Sequence, residues 1–188
     1  MALDDGATLV PATGHFYIDI TSAPGTATPP DDPTAPITPW VEIGHTSREN
    51  PLGISQEGGE ETVLGSWQNP ALRTSRTPVN RFVTFSLLQW DELAYRLYYG
   101  GNGAVDVPSG YFRAPLNPVP LEGALFARLD DGVEQVGIFS PRSSFIRAED
   151  VEMDPENLSG HPIRGTLLGV SGNDWLFGIT PKGALAAS

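Results

Sequence analysis

Carboxylates are the side chains best placed to do chemistry in this sequence, and they come in clusters. Glu57, Glu60 and Glu61 form one group, and Asp130, Asp131 and Glu134 a second. Glu149, Asp150, Glu152, Asp154 and Glu156 form a third. Two carboxylates opposed across a cleft could hydrolyse a glycoside, one protonating the leaving group while the other attacks or activates water. Adjacent acids in loops read more simply as solvated charge. The alternating acids Glu152-Met-Asp154-Pro-Glu156 lack the glycine that turns a calcium-binding loop.

The other reactive types offer less. His15, His45 and His161 stand at no chelating spacing and read as turn or surface histidines. The near-elbows at Ser55 and Ser171 lack the second glycine of a hydrolase nucleophile turn. There is no cysteine, so thiol catalysis, disulfides and Cys-based zinc sites drop out. The sole lysine, Lys182, lies outside any phosphate-loop frame, and Gly101-Asn-Gly103 lacks the rest of a dinucleotide fingerprint. These absences lead to the expectation of a non-enzymatic protein with no cofactor and no metal.

Charge narrows the partners. Lys+Arg is 11 against Asp+Glu 23, a formal net charge of −12. A duplex-gripping protein needs a basic footprint to release counterions, so this balance argues against a nucleic-acid clamp. Arg73, Arg76 and Arg81 form a local basic group with no acid between Thr62 and Trp90. In an assembly of copies, such as the resemblance given below implies, they are expected to meet acidic loops of a neighbouring subunit. No apolar run is long enough to span a membrane, and the acidic start lacks a signal peptide's basic region.

The elements that must carry these residues are mostly strands. At 188 residues a single domain is expected, with Gly 21 and Pro 18 marking many turns. Leu, Ile, Val and Phe together exceed the ~20% below which chains fail to collapse. Alternation predicts strands at 15–20, 40–44, 62–67, 79–85, 121–129, 133–139, 145–153, 163–170 and 174–179. Asp131-Gly132 is a hairpin signal.

One helix is expected over 87–99. Ser86 and Gln89 fit a capping box, and Trp90, Leu93, Ala94, Leu97 and Tyr98 make one apolar stripe facing the core. Residues 1–13 read as an N-terminal arm, 22–39 as an exposed Pro-rich loop and 182–188 as a small-residue tail. The loop is either an inert insertion or a contact with a partner chain. The fold class is therefore mainly β: an antiparallel sandwich or barrel with one flanking α-helix.

Several stretches go further. Trp40-Val-Glu-Ile-Gly-His-Thr-Ser47, Glu57-Gly-Gly-Glu-Glu-Thr62, Leu64-Gly-Ser-Trp-Gln-Asn69 and Leu72-Arg73 resemble the major tail tube proteins of long-tailed, siphovirus-type bacteriophages, especially those of actinobacteria. Phe82-Val-Thr-Phe85, the following helix with its Gly-Gly stop, and Trp175-Leu-Phe-Gly-Ile-Thr-Pro181 continue the likeness, which covers roughly residues 14–181.

The resemblance implies a structural virion protein, assembled in the host cytoplasm into hexameric rings that stack as the tail tube. It implies strands joined around a lumen, and loops and arms reaching the next ring. It also implies partnership with tape-measure and terminator or tip proteins, and DNA that passes without specific binding. An acidic wall would repel that DNA over a Debye length of about 8 Å. Glu57, Glu60, Glu61, Asp130, Asp131 and Glu134 are the candidate lumen acids, although each could equally be exterior charge.

Two other readings compete. A carbohydrate- or receptor-binding sandwich would use Trp40, Trp67, Tyr111 and Phe112 as platforms, and a tail terminator or tip protein would share the fold. A hydrolase on scattered acids ranks last.

Overall fold

The computed structural model describes residues 5–35 and 38–185. Parts of the expected arm, Pro-rich loop and tail (1–4, 36–37 and 186–188) lie outside the described residues.

Four strands supply the first half of the sheet. They are β1 (Thr13–Asp19), β2 (Val41–Glu42), β9 (Leu121–Asp131) and the first part of β10 (Glu134–Arg147). Between β2 and β9 the chain forms β3 (Gly53–Gly58), β4 (Glu61–Leu64), β5 (Arg73–Arg76), β6 (Val79–Leu87), α1 (Glu92–Tyr99), β7 (Ala104–Val105) and β8 (Phe112–Arg113). After β10 come β11 (His161–Leu167) and β12 (Gly178–Ile179). The main sheet is antiparallel with order β2-β1-β9-β10-β11-β6-β3, and β12 pairs with β10.

The β10 strand is the fold's pivot. The sequence suggests two strands here, 133–139 and 145–153, but the chain runs as one from 134 to 147. Its register slips between Ser140 and Ser143, where Pro141 has no N–H to give a ladder. Ser143 donates its hydroxyl to Ser140 across the irregularity. Before it, β10 pairs with β9 and β12; beyond it, with β9 and β11. The two halves of the sheet face each other across a shared core of Phe16, Ile18, Leu125 and Ala127 from one side and Val83, Phe85, Phe145 and Ile163 from the other.

The helix caps one end of that core, but it starts later than the sequence suggests. Ser86 is buried in β6, and Gln89 accepts from the His45 backbone N–H instead of closing a capping box. Asp91 is the N-cap, its Oδ1 accepting from Ala94 N at 2.8 Å. Ala94, Leu97 and Tyr98 are buried and Leu93 packs beside them, but Trp90 precedes the helix and is 43% exposed. The apolar stripe therefore holds only from Leu93 onward. Trp90 instead covers His161, with ring centroids 4.5 Å apart.

The outward surfaces of the two halves differ. On the first, Tyr17, Trp40, Ala124, Phe126 and Phe139 form a second apolar cluster. The Pro-rich loop crosses that side, pinned by Arg128, whose guanidinium donates to the carbonyls of Pro33 and Thr34. On the second half, strands β3, β6, β11 and the end of β10 turn outward a face on which Ser55 is exposed and Thr84, Ser144, Arg164 and Thr166 are half-buried, while Ser86 at its end is buried beside Gly160.

Candidate functional site

Two surfaces stand out from the folded body. The first is a two-stranded ribbon. The β3–β6 ladder continues, past Gly58-Gly59 and Thr77-Pro78, into the separate β4–β5 ladder. Gly58 and Gly59 take φ of 83° and 78°, which a side chain would resist, and a Cβ on Gly58 would lie 2.1 Å from the Pro78 carbonyl. Every residue from 60 to 81 is exposed. Val63, Leu64, Trp67, Leu72 and Val79 lie on it, and Trp67 keeps its full solvent exposure. A monomer does not bury this ribbon, and apolar groups so placed mark a contact surface.

The sequence did not reveal β3 or β5. Both are polar, so neither carries a core-facing alternation. Their partners' ladders hold them, not burial.

The second surface is the bare face of the second half-sheet. Direct antiparallel partners point the same way, so the register defines its members. Ser55 opposes Phe82, which opposes Thr166, which in turn opposes Ser144 of β10. Thr84 sits between Gly53 and Arg164, and Asn80 opposes Glu57.

Arg164 crosses this face. Its guanidinium lies 3.7 Å above the Phe82 ring and 3.0 Å from a Glu57 carboxylate oxygen, tying β11, β6 and β3 together. Nearby, Arg142 donates to Glu122 through both Nε and Nη2, at 3.0 and 2.9 Å. The signal for this face was in β11, where Pro162, Arg164 and Thr166 alternate strictly with buried His161, Ile163, Gly165 and Leu167.

The acids singled out from the sequence fall in three places. Glu57 is on the bare face, paired with Arg164. Glu60 and Glu61 are on the ribbon, where Glu61 holds Arg76 at 2.7 Å. Asp130, Asp131 and Glu134 surround the β9–β10 turn. Asp130 lies 3.0 Å from Arg128 and 3.7 Å from His15. Lys182 lies 2.7 Å from Asp131 and 3.3 Å from Glu134, and donates to the Thr8 carbonyl. Hydrogen bonds from Lys182 and the Val10 N–H hold Asp131 below the ordinary carboxylate pKa, and Asp131 in turn holds Lys182 above its own.

Arg73, Arg76 and Arg81 lie along the ribbon. Arg76 has its partner in Glu61, whereas Arg73 and Arg81 make no ion pair among the described residues.

The histidines divide. His15 bridges Glu42 and Asp130 at the surface, beside a cleft of about 780 Å³ that His45, Arg48 and Gln89 also line. His161 is no turn histidine: it is wholly buried, and neither ring nitrogen has a hydrogen-bond partner. Trp90, Tyr95, Tyr98 and Tyr99 surround its ring. Burial pushes its pKa below the ordinary value of 6.5, against smaller upward pulls from the Leu87 carbonyl and Asp91. Among the described residues no three His, Cys, Asp or Glu side chains gather as a metal site.

The proposed sugar platform does not form. Trp40 is buried against Phe126 and Phe139, and Phe112 packs against Tyr95 and Tyr99. Trp67 and Tyr111 remain exposed.

Comparison with known proteins agrees with these assembly-type surfaces. A family described as phage tail tube protein matches residues 1–181. The chain is 34% identical to major tail protein Gp23 of Mycobacterium phage L5 over 182 residues, covering 89% of this chain and 88% of that protein. It is 31% identical to major tail protein Gp23 of Mycobacterium phage D29 over 203 residues, covering 97% and 99%.

Proposed function

The chain belongs to the phage tail tube protein family, and on that premise we propose that its copies close into hexameric rings that stack into a conduit for DNA. It is a structural subunit of the virion tail. In the proposed assembly the whole of 1–188 acts as one domain, and its terminal segments and Pro-rich loop contact neighbours. No helix among the described residues is long and apolar enough to cross a membrane.

The ribbon carries this reading. A strand pair that exposes Val63, Leu64, Trp67 and Leu72 is costly to leave in water, at about 25 cal/mol per Å² of apolar surface. A second copy is the partner always present at high local concentration. Arg73 and Arg81, without ion-pair partners among the described residues, supply charge for acidic segments of that neighbour. The loop 149–156, with Glu149, Asp150, Glu152, Asp154 and Glu156, is a matching surface. The free edge of β3 offers backbone donors and acceptors that a neighbour's strand can satisfy. A separate tape-measure protein would set the length, and terminator and tip proteins would close the ends.

Negative-stain microscopy of the purified chain tests this. Rings or tubes with a central hole are expected. A monodisperse monomer at all concentrations, with the ribbon intact, would overturn it. The family that the chain matches is one of structural tail proteins, and the proposed role is therefore non-catalytic.

A further inference from the structure

We infer that the bare face of β3, β6, β11 and the end of β10 is the wall of the bore, and that it meets DNA as a charge-balanced, hydroxyl-bearing surface. The inference rests on the tube reading above and adds which strands face inward.

The first half-sheet cannot supply the wall. Its outward side is already closed by the Pro-rich loop, which Arg128 pins over Trp40 and Phe126. The ribbon projects from the body and exposes Val63, Leu64, Trp67 and Leu72 among its charges. Only the second half-sheet presents a broad, smooth face. It is furnished by short hydroxyl side chains (Ser55, Thr84, Thr166, Ser144), by two carboxylate–guanidinium pairs, and by Ile146 and the Arg164-covered ring of Phe82.

Those two pairs determine how the face treats a polyanion. A free guanidinium would bind phosphate and release counterions, which makes DNA stick. Here Arg164 is held between Glu57 and the Phe82 ring, and Arg142 is held on Glu122 through Nε and Nη2. Each positive charge already has its counter-charge in place, which weakens its pull on phosphate. The same pairing cancels the carboxylates, so the wall does not raise a barrier against phosphate either. Hydroxyls exchange hydrogen bonds with water at little cost and read no base sequence. The chain's excess acid lies elsewhere, much of it in the 149–156 loop.

The cysteine-free sequence allows a direct test. Thr166→Cys, on the central strand of the face, is assembled into tubes and exposed to N-ethylmaleimide or to a maleimide carried on a protein-sized polymer. Ser55→Cys serves as a second variant if the first does not assemble. The expected result is reaction with the small reagent at the rate of the unassembled chain, and loss of essentially all reaction with the large one. Reaction with both puts the face on the outside and overturns the inference. Reaction with neither means that a second copy covers the face, which also overturns it. Both failures leave the tubes intact, whereas unmodified chain that never forms tubes overturns this inference together with the reading beneath it.

Discussion

The ring of Phe16 in β1 stacks on that of Phe85 in β6, with centroids 5.7 Å apart and planes inclined by 22°. These strands belong to opposite halves of the sheet, so the pair measures how firmly the two layers are closed. Phe85 also meets Phe145 edge-on at 6.5 Å. Phe85→Ala should cost about 3–5 kcal/mol of folding stability, the range for truncating a buried aromatic ring. Denaturant unfolding of the monomer checks this, and a loss under about 1 kcal/mol would mean that the layers are not held together here.

His161 gives the fold a pH dependence of defined sign. Its folded-state pKa lies below 6.5, so the unfolded chain takes up the proton first. Stability is therefore full above about pH 6.5 and declines as the pH falls below it. Beside Trp90, the titratable groups near the ring are Tyr95, Tyr98, Tyr99 and Asp91, with Leu87 contributing only its carbonyl. His161→Leu should flatten the slope of unfolding free energy between pH 6.5 and the onset of carboxylate titration. An unchanged slope would assign the effect to other groups.

On the ribbon, folding and assembly should separate. Trp67→Ser and Arg81→Glu alter side chains that touch nothing essential to the monomer's core. Their unfolding midpoints should match the parent, since exposed charges and side chains rarely contribute more than about 1 kcal/mol. Sedimentation and microscopy should show fewer or shorter tubes. Arg76→Glu also sets two like charges opposite each other at Glu61 and should weaken both properties slightly. Normal tubes from all three would remove the ribbon from the interface.

Glu57→Gln leaves Arg164 without its carboxylate while Phe82 still holds it on the wall. Tubes of this variant should retain short duplex DNA at low ionic strength and release it as salt rises, whereas parent tubes retain none. Equal retention by both would mean that Arg164 does not face the bore.

Lys182→Ala should loosen both ends of the chain. Without the ammonium, Asp131, Glu134 and the Thr8 carbonyl lose their shared partner. Limited proteolysis should trim the N-terminal segment faster, with the core strands cut at the parent rate. Equal trimming would show that the Val10 N–H to Asp131 bond alone secures that segment.

Strands whose alternation is enforced by burial were legible in the sequence. The Phe16-Ile18 and Leu125-Ala127-Leu129 patterns located β1 and β9, and Asp131-Gly132 located the hairpin turn from β9 into β10. The merger of two expected strands into β10 was hidden because Pro141 normally ends a ladder; the register slip absorbs it. The helix start was misread because Ser86 and Gln89 satisfy a local rule while tertiary contacts, the β6 ladder and the His45 N–H, claim both. The basic group and the acid clusters were visible as charge, but their partners were not, since Glu57 meets Arg164 across 107 positions of sequence. Burial of His161 was equally invisible, because four aromatic neighbours from Trp90 to Tyr99 reach it only through the packing of α1 on β11.

The Thr8 carbonyl and the Lys182 ammonium touch at 2.7 Å. Entry to and exit from the described fold thus share one doorway. Passenger domains fused before and after it would emerge side by side and crowd each other. A short peptide joint at that doorway would circularise the backbone, and the chain could then be reopened in the 149–156 loop without touching a strand.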